Sequence, residues 1–234
     1  YKGNHRSLQT HGRLIDEGSV LKMLPARSEG LFVTLEGGEG AGKSTQLKAL
    51  ANRARVLGIE TVTSREPGGT PLGESLRNIL LNANDSEVDH RAELLVFAAS
   101  RAQHLAELVR PALERGALVI CDRFSDSTIA YQQYGRGLAP DIVATSIELA
   151  TDGLKPDLTI LLDVESHVSR ERTTLSDDYL ERAGIEFHER VHAGFVSLAA
   201  SDPDRWIVID GAIAPDEITE LAWNQISKYL DQAT

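Results

Sequence analysis

Gly37, Gly42, Lys43 and Ser44 satisfy the spacing GxxxxGK(S/T) inside the stretch EGGEGAGKST, Glu36 to Thr45. Such a loop binds phosphate. Its glycines let successive backbone N–H groups turn inward around phosphate oxygens, and a helix opening at Lys43 adds the positive end of its dipole. Gly37, Gly38, Glu39, Gly40, Ala41, Gly42, Lys43, Ser44 and Thr45 are therefore expected to cradle a triphosphate. Lys43 should reach the β- and γ-phosphates, and the Ser44 hydroxyl is placed to ligate Mg²⁺. An ordinary glycine-rich turn is the bland reading. The apolar run LFVTLE directly before the loop and the helical pattern directly after it supply the context that sets that reading aside.

A phosphate cradle serves GTPases, motor ATPases and small-molecule kinases alike. The chain has no NKxD guanine signature, and its 234 residues leave little room for motor machinery. A kinase of a small phosphorylated acceptor leads. Such an acceptor needs arginines, whose forked guanidinium groups hold phosphate oxygens bidentately. Arg65 and Arg77 flank REPGGTPLGESLR, Arg101 lies in FAASRAQH, and Arg123 follows Asp122 in CDRFSDSTIAYQQYGRG. Phe97 stands four residues before Arg101 on an expected helix, so both share a face, and an aromatic plane beside a phosphate clamp suits a nucleobase. Ser127, Thr128, Tyr131 and Gln132 supply paired donors and acceptors for a base edge, or else cap a helix start.

These residues need a frame. The runs LFVTLE (31–36), ETVTSR (60–65), ALVICD (117–122), LTILLD (158–163) and WIVID (206–210) read as strands. Helical patterns span 43–57, 71–81, 93–115, 140–151, 179–200 and 215–230. Alternation of this kind predicts an α/β, doubly wound, five-stranded parallel sheet of P-loop type with helices on both faces. Ligands gather beyond the carboxyl ends of such strands, where Glu36, Arg65, Asp122, Asp163 and Asp210 fall. Ser166 to Ile185, rich in charge and poor in large apolar residues, is the expected lid. Residues 1–30 lack sustained periodicity and read as an amino-terminal extension or added leader, with a native arm as the alternative. Residues 31–234 form the main domain.

The net charge of −11 disfavours nonspecific adhesion to nucleic acid or anionic lipid, so neither is an expected partner. No apolar run reaches the roughly 18 residues that span a bilayer. Cys121 is the only cysteine, which excludes an internal disulfide and suits a reducing, cytoplasmic setting.

Taken in order, LFVTLEGGEGAGKSTQ, REPGGTPLGESLRNILL, LLVFAASRAQH, VICDRFSDSTIAYQQYGRG, GLKPDLTILLDV and EFHERVHAGF resemble the thymidylate kinase family, over roughly Leu31 to Asp210. REPGGT and DRFSDSTIAYQ are far more specific than the phosphate loop. The resemblance implies phosphorylation of dTMP to dTDP with ATP and Mg²⁺, and a homodimer built from helix faces. It places Glu66 and Arg77 near the acceptor's sugar and phosphate, Phe97 stacked on thymine, and Arg101 on the base edge and phosphate. Arg123 then lies between the two nucleotides' phosphates. Thr128 and Gln132 face the thymine ring, and Tyr131 lies beside the deoxyribose. Asp122 and Glu39 orient Mg²⁺, mostly through water, so Ser44 and Asp122 are the expected metal residues and Lys43, Arg123, Asp122 and Glu39 the catalytic set. Family lids carry an arginine in a DRxE pattern, where this chain has Asp178, Tyr179, Leu180 and Glu181. Arg170, Arg172 or Arg182 would serve in its place. A related nucleoside monophosphate kinase, or a nucleotide-binding protein of low activity, are the alternatives.

Overall fold

A computed structural model describes residues 30–82, 88–164 and 183–231. The expected lid up to residue 182, with Arg170, Arg172 and Arg182, and the leader up to residue 29 lie outside the described residues.

β1 (Leu31–Glu36), β2 (Thr61–Arg65), β3 (Leu118–Asp122), β4 (Leu158–Asp163) and β5 (Trp206–Asp210) form one parallel sheet in the order β2-β3-β1-β4-β5. All five match the sequence reading to within one residue at either end. The chain fills one side of β1 with β2 and β3, then the other with β4 and β5. That reversal opens a crevice beyond the carboxyl ends. Register pairs Leu35 and Arg65 with Asp122, so the loops after β1, β2 and β3 leave the sheet at one level.

Helices cover both faces. Leu31, Val33 and Leu35 turn toward α1 (Lys43–Val56) and α8 (Pro215–Asp231), packing with Leu50, Ala51, Ala54, Ile218, Trp223 and Ile226. Phe32 turns the other way, onto Val119, Cys121, Phe124, Leu105 and Val109. A third cluster joins Tyr131 and Leu161 to Phe187, Val191 and Phe195 of α7 (Ile185–Ser201). The remaining helices are α2 (Pro71–Leu81), capped by the Thr70 hydroxyl on the Gly73 N–H at 3.0 Å, and α6 (Pro140–Thr151).

Besides the helix expected over 179–200, which among the described residues starts only at Ile185 after Gly184 at φ 85°, two segments depart from the sequence reading. The helix expected over 93–115 begins earlier, because Asp89 accepts from the Arg91 N–H at 3.0 Å and caps α3 (His90–His104). It then loosens into a π turn, Leu105–Val109, before α4 (Arg110–Glu114). Pro111 supplies the reason: without an N–H it cannot continue the ladder, which widens just ahead of it. The other is α5 (Ser125–Thr128), which runs into a π turn, Ile129–Gly135. The polar cluster there does start a helix and also faces the crevice. Asp126 anchors that start through a two-pronged pair with Arg205, at 2.7 and 3.2 Å.

Phe32 is 1% exposed and meets Phe124 edge-on at 4.9 Å, linking β1 to the turn that carries Arg123. Phe32→Ala should cost about 3–5 kcal/mol of stability, read as a lower urea midpoint at unchanged slope. A loss under about 1 kcal/mol would show that this contact is not part of the core.

Candidate active site

Two hollows meet at the carboxyl edge of the sheet. One is bounded by the phosphate loop and includes Glu39, Gly40, Gly42, Lys43, Ser44, Thr45 and Asp122. Its neighbour, enclosing about 820 Å³ of space open to solvent, lies among Phe97, Arg101, Thr128, Tyr131, Gln132 and Phe124. Glu39, Glu66, Arg77 and Arg123 line both. Apart from Arg65, which lines only the phosphate-loop hollow, every acceptor-side residue expected from the sequence faces one cleft, and the wall it shares with the phosphate loop carries two arginines.

The loop's shape follows from its glycines. Gly37 has φ 137°, and a Cβ there would stand 2.6 Å from the Leu162 carbonyl oxygen. Gly42 caps α1 in the left-handed region, at φ 94°. Gly37, Gly38 and Ala41 do not line the hollows. The carbonyls of Gly37 and Gly38 accept from Lys43 Nζ at 3.1 and 2.6 Å, while Ala41 is buried in the core. Burial, with Arg123 second, pushes the Lys43 ammonium down to about 8. Ser44 Oγ donates to Asp122 Oδ2 at 2.8 Å, bringing a hydroxyl and a carboxylate together beside the loop. Among the described residues no group of three or more His, Cys, Asp or Glu side chains forms a metal cage. A hydroxyl and one carboxylate next to a phosphate site suit Mg²⁺, which keeps waters and shares substrate phosphates.

Arg123 holds the centre. It is a non-glycine residue at φ 73°, a conformation that costs roughly 1–3 kcal/mol and persists only where its surroundings over-determine it. Here they do. Its N–H donates to the Leu35 carbonyl at 3.0 Å, and its own carbonyl accepts from Cys121 Sγ at 3.2 Å. The guanidinium donates to the Gly37 carbonyl at 2.9 Å and Ser127 Oγ at 3.2 Å, and pairs with Glu39 at 3.3 Å. It also lies 5.0 Å above the Tyr131 ring. Burial raises the Glu39 carboxyl, but the charges of Arg123 and then Lys43 outweigh it and hold it below the usual range. Burial also pushes the Cys121 thiol well up, so this cysteine is a packed, unreactive group.

Across the cleft, α3 presents Glu93, Phe97 and Arg101 at a spacing of four along one face. Arg101 donates to Thr128 Oγ1 at 2.9 Å, and Gln132 Nε2 donates to Glu93 Oε1 at 2.7 Å. These two rungs tie α3 to the segment 125–135 on either side of Phe97. Arg101 is 2% exposed and pairs with Glu66 at 2.8 Å. The second Glu66 oxygen meets His104 Nδ1 at 2.9 Å, and His104 Nε2 meets Ser64 Oγ at 2.7 Å. Both carboxylate oxygens of Glu66 thus hold protein groups. Arg77 donates to the Pro67 carbonyl at 3.1 Å, and Arg65 pairs with Glu74 at 2.8 Å on the phosphate side.

Sequence reasoning did not assign roles to Glu36, Glu93, His104 or Arg136. Glu36 ends β1, fully buried, accepting from the Phe124 N–H at 2.8 Å and meeting Ser127 Oγ at 2.6 Å. It thereby fixes the turn that Arg123 opens. A buried-strand glutamate immediately before a phosphate loop is the one signal that could have found it.

A phosphate loop on a β2-β3-β1-β4-β5 parallel sheet, with an arginine-walled second hollow end-on to it, defines a P-loop phosphotransferase acting on a phosphorylated acceptor. The family model described as thymidylate kinase matches residues 35–221. The thymidylate kinase of Solidesulfovibrio magneticus is 44% identical over 209 residues, covering 86% of this chain and all of that one. That of Synechococcus sp. (strain JA-3-3Ab) is 47% identical over 200 residues, covering 86% of this chain and 97% of its own. The crystal structure of thymidylate kinase from Ehrlichia chaffeensis superposes with a TM-score of 0.71 at 34% identity, covering 85% of this chain and 99% of that one. The chain belongs to the thymidylate kinase family.

Burial, then the charge of Asp126, lifts the Glu36 carboxyl from its usual 4.5 to about 8, against smaller lowering by Ser127 and Arg123. The folded chain then keeps a proton that the unfolded chain has released, so this group's contribution to stability falls as pH rises from about 4.5 to 8. Glu36→Gln keeps one donor and one acceptor but cannot titrate. Its melting temperature should gain on the wild type between about pH 5 and 8. Parallel curves would contradict the shift.

Proposed function

We propose that this protein transfers the γ-phosphoryl group of ATP to dTMP, giving dTDP and ADP. The observation that carries the reading is the common wall: Arg77, Arg123, Glu39 and Glu66 line both hollows, so a donor in one and an acceptor in the other meet phosphate to phosphate. Family membership names the acceptor as dTMP.

In this reading the loop's N–H groups and Lys43 hold the β- and γ-phosphates, while Phe97 stacks on thymine and Arg77 and Arg101 fix the monophosphate and base edge. A phosphate oxygen of dTMP forms the new P–O bond as the bond between the β-phosphate and the γ-phosphoryl group breaks. No covalent enzyme intermediate is needed, since alignment and charge neutralisation carry the chemistry. Arg123 is placed to follow the transferring group, and Lys43 to neutralise the departing ADP. Mg²⁺, held through Ser44 and Asp122, would supply further neutralisation at the β- and γ-phosphates. In the same reading Tyr131, 6% exposed and held edge-on against Phe187 and Phe195, stands beside the deoxyribose and disfavours a 2′-hydroxyl there.

The lid over 166–185, with a catalytic arginine from Arg170, Arg172 or Arg182, is part of the same proposal, as is the division into residues 1–30 and a domain over 31–234. A homodimer is proposed from the exposed apolar residues Leu72 and Ile79 on α2, Leu95 on α3, and Ile142 and Leu149 on α6. The single cysteine supports a cytoplasmic setting. Among the described residues no helix is long and apolar enough to cross a membrane.

An assay with ATP and Mg²⁺ over a panel of nucleoside monophosphates should give dTDP as the preferred product. Preference for CMP or AMP would move the protein to another kinase specificity. Arg123→Ala should lower kcat by about 10³-fold or more while the fold persists. Unchanged turnover would remove Arg123 from the reaction. Leu149→Asp should shift sedimentation from dimer to monomer, and a monomeric wild type would refute the dimer.

A further inference from the structure

Gln132 sits on the π turn Ile129–Gly135 and faces the acceptor cleft, and an amide there can offer a base either its oxygen or its NH₂. Which end is offered depends on Glu93. This residue is wholly buried in the first turn of α3 and does not line the cleft, yet its Oε1 accepts from Gln132 Nε2 at 2.7 Å. Its Oε2 lies 3.1 Å from the guanidinium of Arg136, itself 4.7 Å above the Phe187 ring. A carboxylate compensated by arginine offers acceptors only, so the group it takes from Gln132 must be the NH₂. The remaining end of the amide is Oε1.

We infer that Glu93 is a specificity-determining positioning residue: by holding the NH₂ of Gln132 it presents the amide oxygen to the cleft, selecting a base edge that carries an N–H donor. The inference rests on the dTMP reading above. Thymine presents N3–H at that edge, beside the O4 acceptor; cytosine presents a bare N3 acceptor, beside an amino group. Gln132 Oε1 therefore accepts from thymine and opposes cytosine's lone pair. Arg101, with donors only and held on the neighbouring rung by Thr128 and Glu66, suits a carbonyl and opposes an amino group. The two rungs form an acceptor–donor pair whose polarity is written in residues behind the cleft wall. Nothing in the amide alone decides it, because glutamine is symmetric in shape and opposite in polarity at its two ends.

Glu93→Gln tests this directly. The variant is nearly isosteric, but its own NH₂ can donate to Gln132 Oε1, so the Gln132 amide is free to turn its NH₂ to the cleft. The measurement is kcat/KM for dTMP and for dCMP, in wild type and variant, with folding checked by circular dichroism. The expected result is a fall in the dTMP-to-dCMP ratio of about tenfold or more, caused by loss on dTMP without equal loss on dCMP. An unchanged ratio, or equal losses on both substrates as a purely structural role would give, overturns the inference. Should Glu93→Gln not fold, the double variant Glu93→Leu with Arg136→Met carries the same test, since it takes the acceptor from the Gln132 NH₂ and leaves no buried cation unpaired; an unchanged ratio there overturns the inference equally. A wild type with no dTMP turnover would instead overturn the functional reading itself.

Discussion

Two phosphate groups about to exchange a phosphoryl unit repel each other: a pair of unit charges 4 Å apart costs about 4 kcal/mol at an effective dielectric near 20. A protein that brings them together must put a cation between them and keep it there. The Arg123 guanidinium stands in the wall shared by the two hollows, where the proposed reaction calls for such a cation. Much of the surrounding structure fixes its position. The left-handed backbone at Arg123 is held from β1 through Leu35 and from β3 through the Cys121 thiol, while its guanidinium donates to Ser127 of the next helix, which Glu36 grips in turn. Glu39 and the Gly37 carbonyl then aim the side chain at the phosphate loop.

The same logic, one buried group orienting another, runs through the acceptor side. Arg101 is aimed by Glu66, which is braced by His104 and through it by Ser64 at the end of β2. Gln132 is aimed by Glu93, braced by Arg136. The two chains of contacts converge on α3, whose one face carries Glu93, Phe97 and Arg101 in successive turns. The cleft is thus assembled mainly from one helix, the turn after β3 and the loop after β2, all leaving the sheet at one level because β1, β2 and β3 end in register.

Much of this was legible in the sequence, for identifiable reasons. The inner strands β1, β3 and β4 are short apolar runs buried on both faces, so their composition betrays them, and the partly exposed edge strands β2 and β5 follow from the alternation with helices. The phosphate loop is local: its glycines, lysine and serine lie within eight residues of one another and do their work there. Phe97 and Arg101 share a helix face, so their partnership also follows from spacing. The unread parts depend on contacts between distant residues. Glu93 meets Gln132 from 39 positions away and Glu36 meets Ser127 from 91, and no periodicity connects them. The π turns escaped as well. Pro111 marks the first in principle, but the segment Ser125 to Gly135 mixes polar and apolar residues with no amphipathic repeat, and only packing against α7 explains its course.

The central claim is that one continuous cleft holds donor and acceptor end to end, with Arg123 where their phosphates meet. It is tested most directly by calorimetric titration with a conjugate in which thymidine and adenosine are joined through a polyphosphate chain. The account predicts one conjugate bound per chain, far more tightly than either ATP or dTMP alone, because both hollows fill while the orientational cost is met once. Affinity no better than that of the stronger half would mean that the two hollows are not filled together and would contradict it.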